Sequence, residues 1–453
     1  MLCPLFVGGL VLNVANRVVV VGAGLAGLCC ARRLVEAGLP VLVLEAGPEV
    51  GGRVRTDLVD GHRLDHGFQV LQTAYPEAQA VLDYTSLRLR PFDSGALIRT
   101  PRGFQKMLDP WRNPLGAVGT LFNGIGTLGD RLRLAELRGR VLAQGYDPRQ
   151  TPQPAPELST RDFLLNRVGV SPEMYAQFLQ PWFAGVFFER ELATSSRFFE
   201  FVFHMFSAGP ACIPAEGMGA IPRQLAAALP AESLRLGTRV TQATADGVTL
   251  ESGERLDALG VVLAVEGPAA ARLSGGEIEA PGSCGTTCLY YSAEAPPLAD
   301  RLLVLNGTGA GPINNLCVPS NVSASYAPPG RALISVSVID PAYRGSAGTG
   351  TGTGTGPSDT AANPGLEQAV RQQLTEWFGA GVAQWRHLQT RSIAHGLPAQ
   401  PAGTFDRPLP NPRLANGLYC CGDYRDSASI QGAMLSGRRA AEQCLSDLRQ
   451  PAR

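Results

Sequence analysis

The chain has 453 residues with 39 basic and 39 acidic side chains and a formal net charge of zero, which argues against a nucleic-acid binder, since counterion release needs a basic face. Apolar residues make up 45% and charged residues 17%, the balance of an ordinary globular protein, and the length calls for two domains rather than one small core. Ten cysteines are scattered along the chain without the paired C-x-x-C spacing of a zinc site, so they read as buried free thiols in a reducing, intracellular compartment, and no metal is expected.

The apolar segment Met1–Val14 is too short to span a bilayer. It lacks the charged start and small-residue cleavage site of a signal peptide, and it is poor in the Ser and Arg of a transit peptide. A truncated start would read the same way. The expected address is the cytoplasm or the interior of a plastid or other organelle, with the protein soluble or held at a membrane surface.

Arg17 is followed by Val18–Val21, an apolar run suited to a strand buried on both faces. Gly22, Ala23, Gly24, Leu25, Ala26 and Gly27 then supply G-x-G-x-x-G where strand becomes helix. Gly22 permits the tight turn, Gly24 lets a pyrophosphate approach the backbone, and Gly27 lets the helix pack on the strand. A helix from about Leu25 to Ala37 directs free N–H groups and its positive dipole end at the phosphate. It stops at Gly38 and Pro40. Val41–Leu44 is a second buried strand that ends at Glu45 and Ala46. The Glu45 carboxylate suits the two hydroxyls of a ribose and would repel a 2′-phosphate. Strand, helix and an acid about 20 residues on occur together, which is the full dinucleotide fingerprint.

The run Glu45–Thr56, EAGPEVGGRVRT, resembles the flavin-binding signature of the amine oxidase superfamily. That superfamily includes monoamine and polyamine oxidases, protoporphyrinogen oxidase, and the carotenoid desaturases and isomerases. The resemblance implies that Gly51, Gly52 and Arg53 lie against the diphosphate and ribityl chain of FAD, where a guanidinium offers a fork of donors. Next, Leu58–Leu64 reads as a hairpin turning at Asp60-Gly61. The segment Leu64–Val70 resembles one that runs along the flavin in the family, with Gly67 passing close to the ring and Phe68 and Gln69 facing the substrate. His66, beside that glycine, reads as a structural donor rather than an acid–base group.

Helical periodicity begins at Tyr75, and Pro91 marks a boundary. Gly103–Gln144 is rich in Leu, Gly, Trp and Arg, and Leu128–Leu142 carries leucines at helical spacing. This suits a substrate-domain helix with a solvated face; the second reading is an amphipathic surface that contacts a membrane. Gln150–Pro156 is a Pro-rich linker, and Ser159–Phe163 starts a helix. Phe178–Phe188 and the helix carrying Phe198, Phe199, Phe201, Phe203 and Phe206 concentrate aromatic residues. They resemble the helical substrate domain of the desaturase and protoporphyrinogen oxidase branch, part core and part wall of a wide apolar pocket.

Pro214–Gly219 and a helix over Ala220–Leu229 match the family's return to the flavin domain. Leu234–Val240 reads as a strand, and the resemblance places the Val240 backbone at the adenine. Val261–Val265 is another buried strand. Thr286–Ser292 and Ala332–Val338 alternate as strands of the second domain, and Leu366–Phe378 is an amphipathic helix. A Gly-Thr insertion (345–363) has no core-forming residue.

Gly417–Asp423 and Ser429–Gly437 resemble the family's closing motif. There Gly422 and Asp423 would meet the ribityl chain, and the N–H groups around Ile430, Gln431, Gly432 and Ala433 would face the flavin pyrimidine. Cys420 and Cys421 precede Gly422 within the strand, so the FAD is expected to be non-covalent.

The fold expected is α/β: a Rossmann-like FAD-binding domain assembled from discontinuous segments (17–90, 214–275 and 390–453). An α+β substrate domain with a helical subdomain takes residues 91–213 and 276–389. Family amine oxidases commonly place a lysine near the flavin, but the only lysine here is Lys106, in the helical region. The resemblance and the phenylalanine-rich segment together imply an FAD-dependent oxidoreductase that removes hydride from a bulky apolar substrate, polyene-like or tetrapyrrole-like. The alternatives are a flavin amine oxidase and a flavin-binding module without turnover. No catalytic side chain is assigned.

Overall fold

The computed structural model describes residues 17–114, 124–145, 147–149, 156–279, 281–339 and 365–449. The N-terminal segment Met1–Val14, the Gly-Thr insertion and all but the end of the Pro-rich stretch lie outside these residues. Val18–Val21 occupies the centre of a five-stranded sheet, flanked by Val41–Leu44 and Leu234–Arg235 on one side and by Gly260–Leu263 and Tyr419–Cys420 on the other. All pairings are parallel. The central strands are fully buried, as continuous valine and leucine runs covered on both faces demand.

The helix Leu25–Glu36 packs on one face of this sheet, and the long helix Ile430–Arg449 lies against it. A Cβ added at Gly437 would sit 2.1 Å from the Ala26 carbonyl oxygen. These two helices therefore meet backbone to backbone, and only glycine fits at the contact.

The expected strand Leu234–Val240 is broken in two. Leu234–Arg235 joins the parallel sheet, whereas Val240–Thr244 opens a separate antiparallel sheet with Gly247–Leu250 and Arg255–Asp257. Hydrogen bonding to the Glu45 loop forces the break. The Arg235 carbonyl accepts from Glu45 N, Gly237 N donates to the Gly47 carbonyl, and Thr238 N donates to the Glu45 carbonyl. Gly237 turns the chain at φ 61°, a conformation that favours glycine.

A second sheet has seven strands, in the order Arg386–Pro398, Ser283–Ala293, Ala332–Val338, Ile313–Cys317, Leu303–Asn306, Gly95–Thr100 and Gly103–Leu108. It is antiparallel except where Leu303–Asn306 meets Gly95–Thr100. Leu366, Val370 and Leu374 of the helix Leu366–Phe378 share a core cluster with Ile313, Leu316, Ile334 and Val336 of this sheet. The opening part of the segment expected to be helical, Gly103–Leu108, is instead one arm of a hairpin with Gly95–Thr100. The helix Leu128–Gln144 opens where Thr127 and Asp130 form a capping box.

The hairpin Thr56–Val59/His62–Asp65 turns at Asp60-Gly61 as expected and ends on a buried carboxylate. Asp65 accepts hydrogen bonds from Thr56 Oγ1, the backbone N–H of Met218 and the Tyr326 hydroxyl, and its own carbonyl accepts from the Tyr290 hydroxyl. One aspartate thus ties the hairpin to the 214–219 turn and to the second sheet.

Burial raises the Asp65 pKa to about 6, against the lowering effect of those hydrogen bonds. The fold therefore favours the protonated acid. Its contribution to stability is complete below the unfolded pKa of about 4 and is lost as pH rises through the folded value. Between about pH 4 and pH 6, the natural protein should lose up to about 3 kcal/mol relative to Asp65→Asn. Urea unfolding of both proteins across a pH series measures this, and parallel profiles would show that Asp65 ionisation is not linked to folding.

Candidate cofactor and substrate site

One cavity of about 1400 Å³ runs from the glycine turn to the aromatic helices, larger than a typical single-ligand pocket of roughly 300–1000 Å³. Its polar end is built on the carboxyl ends of the parallel strands, the usual place for a ligand in an open α/β sheet. Gly22 has φ 107°, and a Cβ there would meet the Ala264 carbonyl oxygen at 2.8 Å. At Gly27 a Cβ would fall 2.0 Å from the Gly22 carbonyl oxygen, whereas at Gly24 it would meet nothing within 4 Å. The turn is therefore closed on its sheet side and open toward the cavity. There Leu25 and Ala26 present the first turn of the helix, whose N–H groups lack helical partners.

Glu45 is buried at the end of its strand. Its Oε2 accepts from Ala23 N and its Oε1 from Gly47 N, both at 2.8 Å. Gly51 N donates to the Ala23 carbonyl at 2.8 Å, which lays the second glycine pair directly on the first. A Cβ at Gly52 would lie 3.5 Å from Gly24 Cα. Arg53 then reaches across the cavity, with Nη2 2.7 Å from Asp423 Oδ1 and Nη1 2.8 Å from the Gly396 carbonyl oxygen.

Of the residues expected at the cofactor, Gly22, Gly24, Leu25, Ala26, Glu45, Ala46, Gly52, Arg53, Gly67, Phe68, Gln69, Val240, Gly422, Asp423, Ile430 and Ala433 line this one cavity. Ala23, Gly27, Gln431 and Gly432 do not. Ala23 is turned to Glu45, and Gly27 is at the helix–strand contact. The Gln431 side chain accepts from Glu77 N, and a Cβ at Gly432 would lie 2.1 Å from the Ser427 carbonyl oxygen. Ser429 shares the wall with Ile430 and Ala433. A cradle open at Gly24, with an acid at one strand end and a guanidinium across from it, fits an extended dinucleotide.

The middle of the cavity is bounded by the segment 66–70. Gln69 lines it, yet its amide is already committed to the carbonyls of Arg53 and His66, each at 2.8 Å. His66 Nε2 is 3.0 Å from Asp57 Oδ1, and Arg391 donates to the other oxygen of Asp57. Burial lowers the His66 pKa despite the Asp57 hydrogen bond. The hydrogen bond from His66, together with the Arg391 charge, holds Asp57 well below the usual carboxylate range. His66 is thus a pinned structural group.

Sequence reasoning missed the strand Arg386–Pro398, which supplies Ile393, His395 and Gly396 to the wall. Ile393 lies so close to Gly67 that a Cβ there would be 2.8 Å from Ile393 Cδ1. The strand is mostly polar and carries no apolar alternation to reveal it.

The far end is apolar. Phe68, Phe92, Phe178, Trp182, Phe188, Phe198, Phe203 and Phe206 face it, with Met107, Val186 and Val202. Phe199 and Phe201 turn into the core instead, Phe199 with its ring centroid 4.5 Å from that of Phe183. Among the described residues lining the cavity there is no lysine and no cysteine. Lys106 points away, with Nζ 2.6 Å from Asp300 Oδ1.

A family model described as flavin containing amine oxidoreductase matches residues 25–445. Over 73 residues the chain is 43% identical to protoporphyrinogen oxidase 2, chloroplastic/mitochondrial, of Arabidopsis thaliana, a match covering 16% of this chain and 14% of that protein. Over 74 residues it is 50% identical to putrescine oxidase of Kocuria rosea, covering 16% of each. These matches span only about a seventh of the curated relatives' lengths. The crystal structure of an oxidoreductase from Methanosarcina mazei superposes with a TM-score of 0.68 at 18% identity, covering 93% of this chain and 98% of that one, which shows the fold.

Glu45→Ala should weaken FAD binding by about 1.5–3 kcal/mol, the range for hydrogen bonds to a charged group. Fluorescence titration of the flavin-free protein measures it. An unchanged dissociation constant would place Glu45 outside the cofactor contacts.

Proposed function

The chain belongs to the flavin-containing amine oxidoreductase family, and on that premise we propose that it is an FAD-dependent oxidoreductase taking hydride from a bulky apolar substrate, polyene-like or tetrapyrrole-like. The observation that carries this reading is the composition of this cavity, polar at the glycine turn and walled by aromatic rings at the other end. Bound flavin supplies the hydride acceptor. The chain's own residues hold, orient and dry the reactants. Glu45 and the Gly22–Gly27 turn would take the adenosine and diphosphate, Arg53 and Asp423 the polar chain that follows, and Gly67 the close pass of backbone beside the ring.

The aromatic walls orient a rigid apolar molecule without hydrogen bonds and exclude water. Positioning of this kind supplies much of a hydride-transfer rate. A protonated amine entering the same space would lose its hydration, and its natural compensation is a carboxylate or an aromatic cage. Of the acids at the aromatic end, Asp93 is paired with Arg301 at 2.7 Å, and Asp109 lies 4.0 Å from Arg112. Amine oxidation is the second reading, favoured by the similarity to putrescine oxidase.

Burial of Cys420 and Cys421 supports a non-covalent cofactor. Neither lines the cavity, and burial pushes the Cys420 thiol up to about 12, so it is not available as a thiolate. Acid precipitation of the purified protein should leave all yellow chromophore in the supernatant; flavin in the pellet would mean a covalent link.

Under anaerobic conditions, apolar polyenes or tetrapyrroles should bleach the bound flavin, and polyamines should do so no faster than buffer. Lys106→Met should leave that rate within about twofold, since an exposed ion pair contributes little. Rapid reduction by an amine with indifference to apolar compounds would move amine oxidation to first place.

A further inference from the structure

We infer that the mouth of the cavity is a docking surface for an anionic lipid bilayer, from which the apolar substrate enters. The inference rests on the apolar-substrate reading above. Residues that line the cavity and yet stand exposed mark its mouth, and three of them are large and apolar: Trp111 at 55%, Leu128 at 63% and Leu132 at 64% exposure.

The helix Leu128–Gln144 explains why the leucines are there. At 3.6 residues per turn, Leu128, Leu132, Ala135 and Leu142 fall on one face, and Leu142 is also exposed, at 40%. Leu137 and Val141, both buried at 3% exposure, fall on the opposite face and serve the core. The helix is therefore apolar on two opposite sides, and the core uses only one. A solvated surface helix has no need of the second stripe.

Charge selects the occupant. Arg131 and Arg138 flank one side of the stripe, and Arg112 joins Arg138 at the rim; Glu136 flanks the other side, and Arg140 beyond it is turned to the buried Glu200 at 2.7 Å. The Arg138 guanidinium lies 4.4 Å over the Trp111 ring, which fixes the indole at the rim. Arg112 and Arg138 both donate to the Ser207 carbonyl at 3.0 Å, at the end of the helix whose Phe203 and Phe206 line the cavity. Tryptophan and leucine between arginines on a chain of zero net charge suit a headgroup boundary with anionic lipid. Arginine stems cover the apolar edge while their heads meet phosphate. A second copy of the chain seated on this stripe would cover the mouth, whereas a bilayer would feed it. No helix among the described residues is long and apolar enough to cross a membrane, so the contact proposed is with one leaflet.

The test is flotation of the flavin-loaded protein with vesicles. Binding should be stronger to phosphatidylcholine mixed with phosphatidylglycerol than to phosphatidylcholine alone, and should weaken at high salt. The double variant Leu128→Ser/Leu132→Ser should lower the partition coefficient by roughly tenfold or more, with its flavin spectrum retained as the check on folding. Leu58→Ser, at a 70% exposed leucine of the Thr56–Val59 strand, should leave it unchanged. Three outcomes overturn the proposal: no flotation of folded holoprotein, flotation indifferent to the double variant, or a self-association in sedimentation velocity that the double variant abolishes. Flotation is read without turnover. If apolar compounds fail to reduce the flavin while flotation behaves as described, the substrate reading falls and the surface stands; the reverse pair of results removes the surface alone.

Discussion

At the carboxyl end of the strand Val18–Val21, three stretches of backbone are drawn to within hydrogen-bonding distance of one another. The Glu45 carboxylate holds Ala23 N and Gly47 N, and Gly51 N reaches the Ala23 carbonyl. Such closeness leaves no room for side chains, and glycine is found at Gly22, Gly27 and Gly51, where a Cβ would lie 2.0–2.8 Å from a carbonyl oxygen. One residue at a strand end thereby sets the turn, the start of the helix and the path of residues 47–53 through its carboxylate, and the break after Arg235 through its backbone. The cavity's polar end exists because these backbones converge.

The two ends of the cavity obey opposite rules. At the glycine turn every polar group must be matched, because burying an unpaired amide or carboxylate costs free energy; hence the Arg53–Asp423 pair and the committed amide of Gln69. At the aromatic end, shape decides, and the Trp182 ring meets those of Phe203 and Phe206 edge to face, the arrangement aromatic quadrupoles favour. Gly185 shows how the parts are fitted together. A Cβ there would press on Asn315 Oδ1 at 3.0 Å and Asn314 Nδ2 at 3.3 Å, so glycine lets the helix Gln180–Phe187 lie on the seven-stranded sheet without displacing those two amides.

The α/β class and the glycine turn were legible because their signals are local. Val18–Val21 and Val41–Leu44 are uninterrupted apolar runs, and the spacing of Gly22, Gly24 and Gly27 states the turn's geometry in the sequence itself. Arg386–Pro398 was not legible, because an edge strand with one side in solvent and the other on a polar cavity wall has no apolar pattern. The hairpin Gly95–Leu108 was missed although Thr100-Pro101-Arg102-Gly103 marks its turn, with Gly103 at φ 104°; the leucine-rich helix beyond it dominated the reading. Glu45 was read as a ribose ligand, yet its hold on Ala23 N depends on a neighbour 22 residues away, and no spacing rule announces that bond. The aromatic helix was legible as a segment, but which rings face the core and which the cavity depends on its rotation against Phe183 and Phe187.

The Arg53–Asp423 bond joins residues 370 positions apart in the chain, and Gly437 presses on Ala26 across a comparable interval. During synthesis the glycine turn leaves the ribosome long before the strand Tyr419–Cys420, Asp423 and the helix that packs on Leu25–Glu36 are made. At a translation rate of roughly 5–20 residues per second, the early sheet waits about 20–75 seconds for its last strand. Through that interval the apolar faces of Val18–Val21, and of Gly260–Leu263 once it is made, lack their final cover. The protein's exposure to misassembly is thus concentrated in that interval, and a nascent-chain chaperone acting on the residues already made would guard the period when the fold is most open.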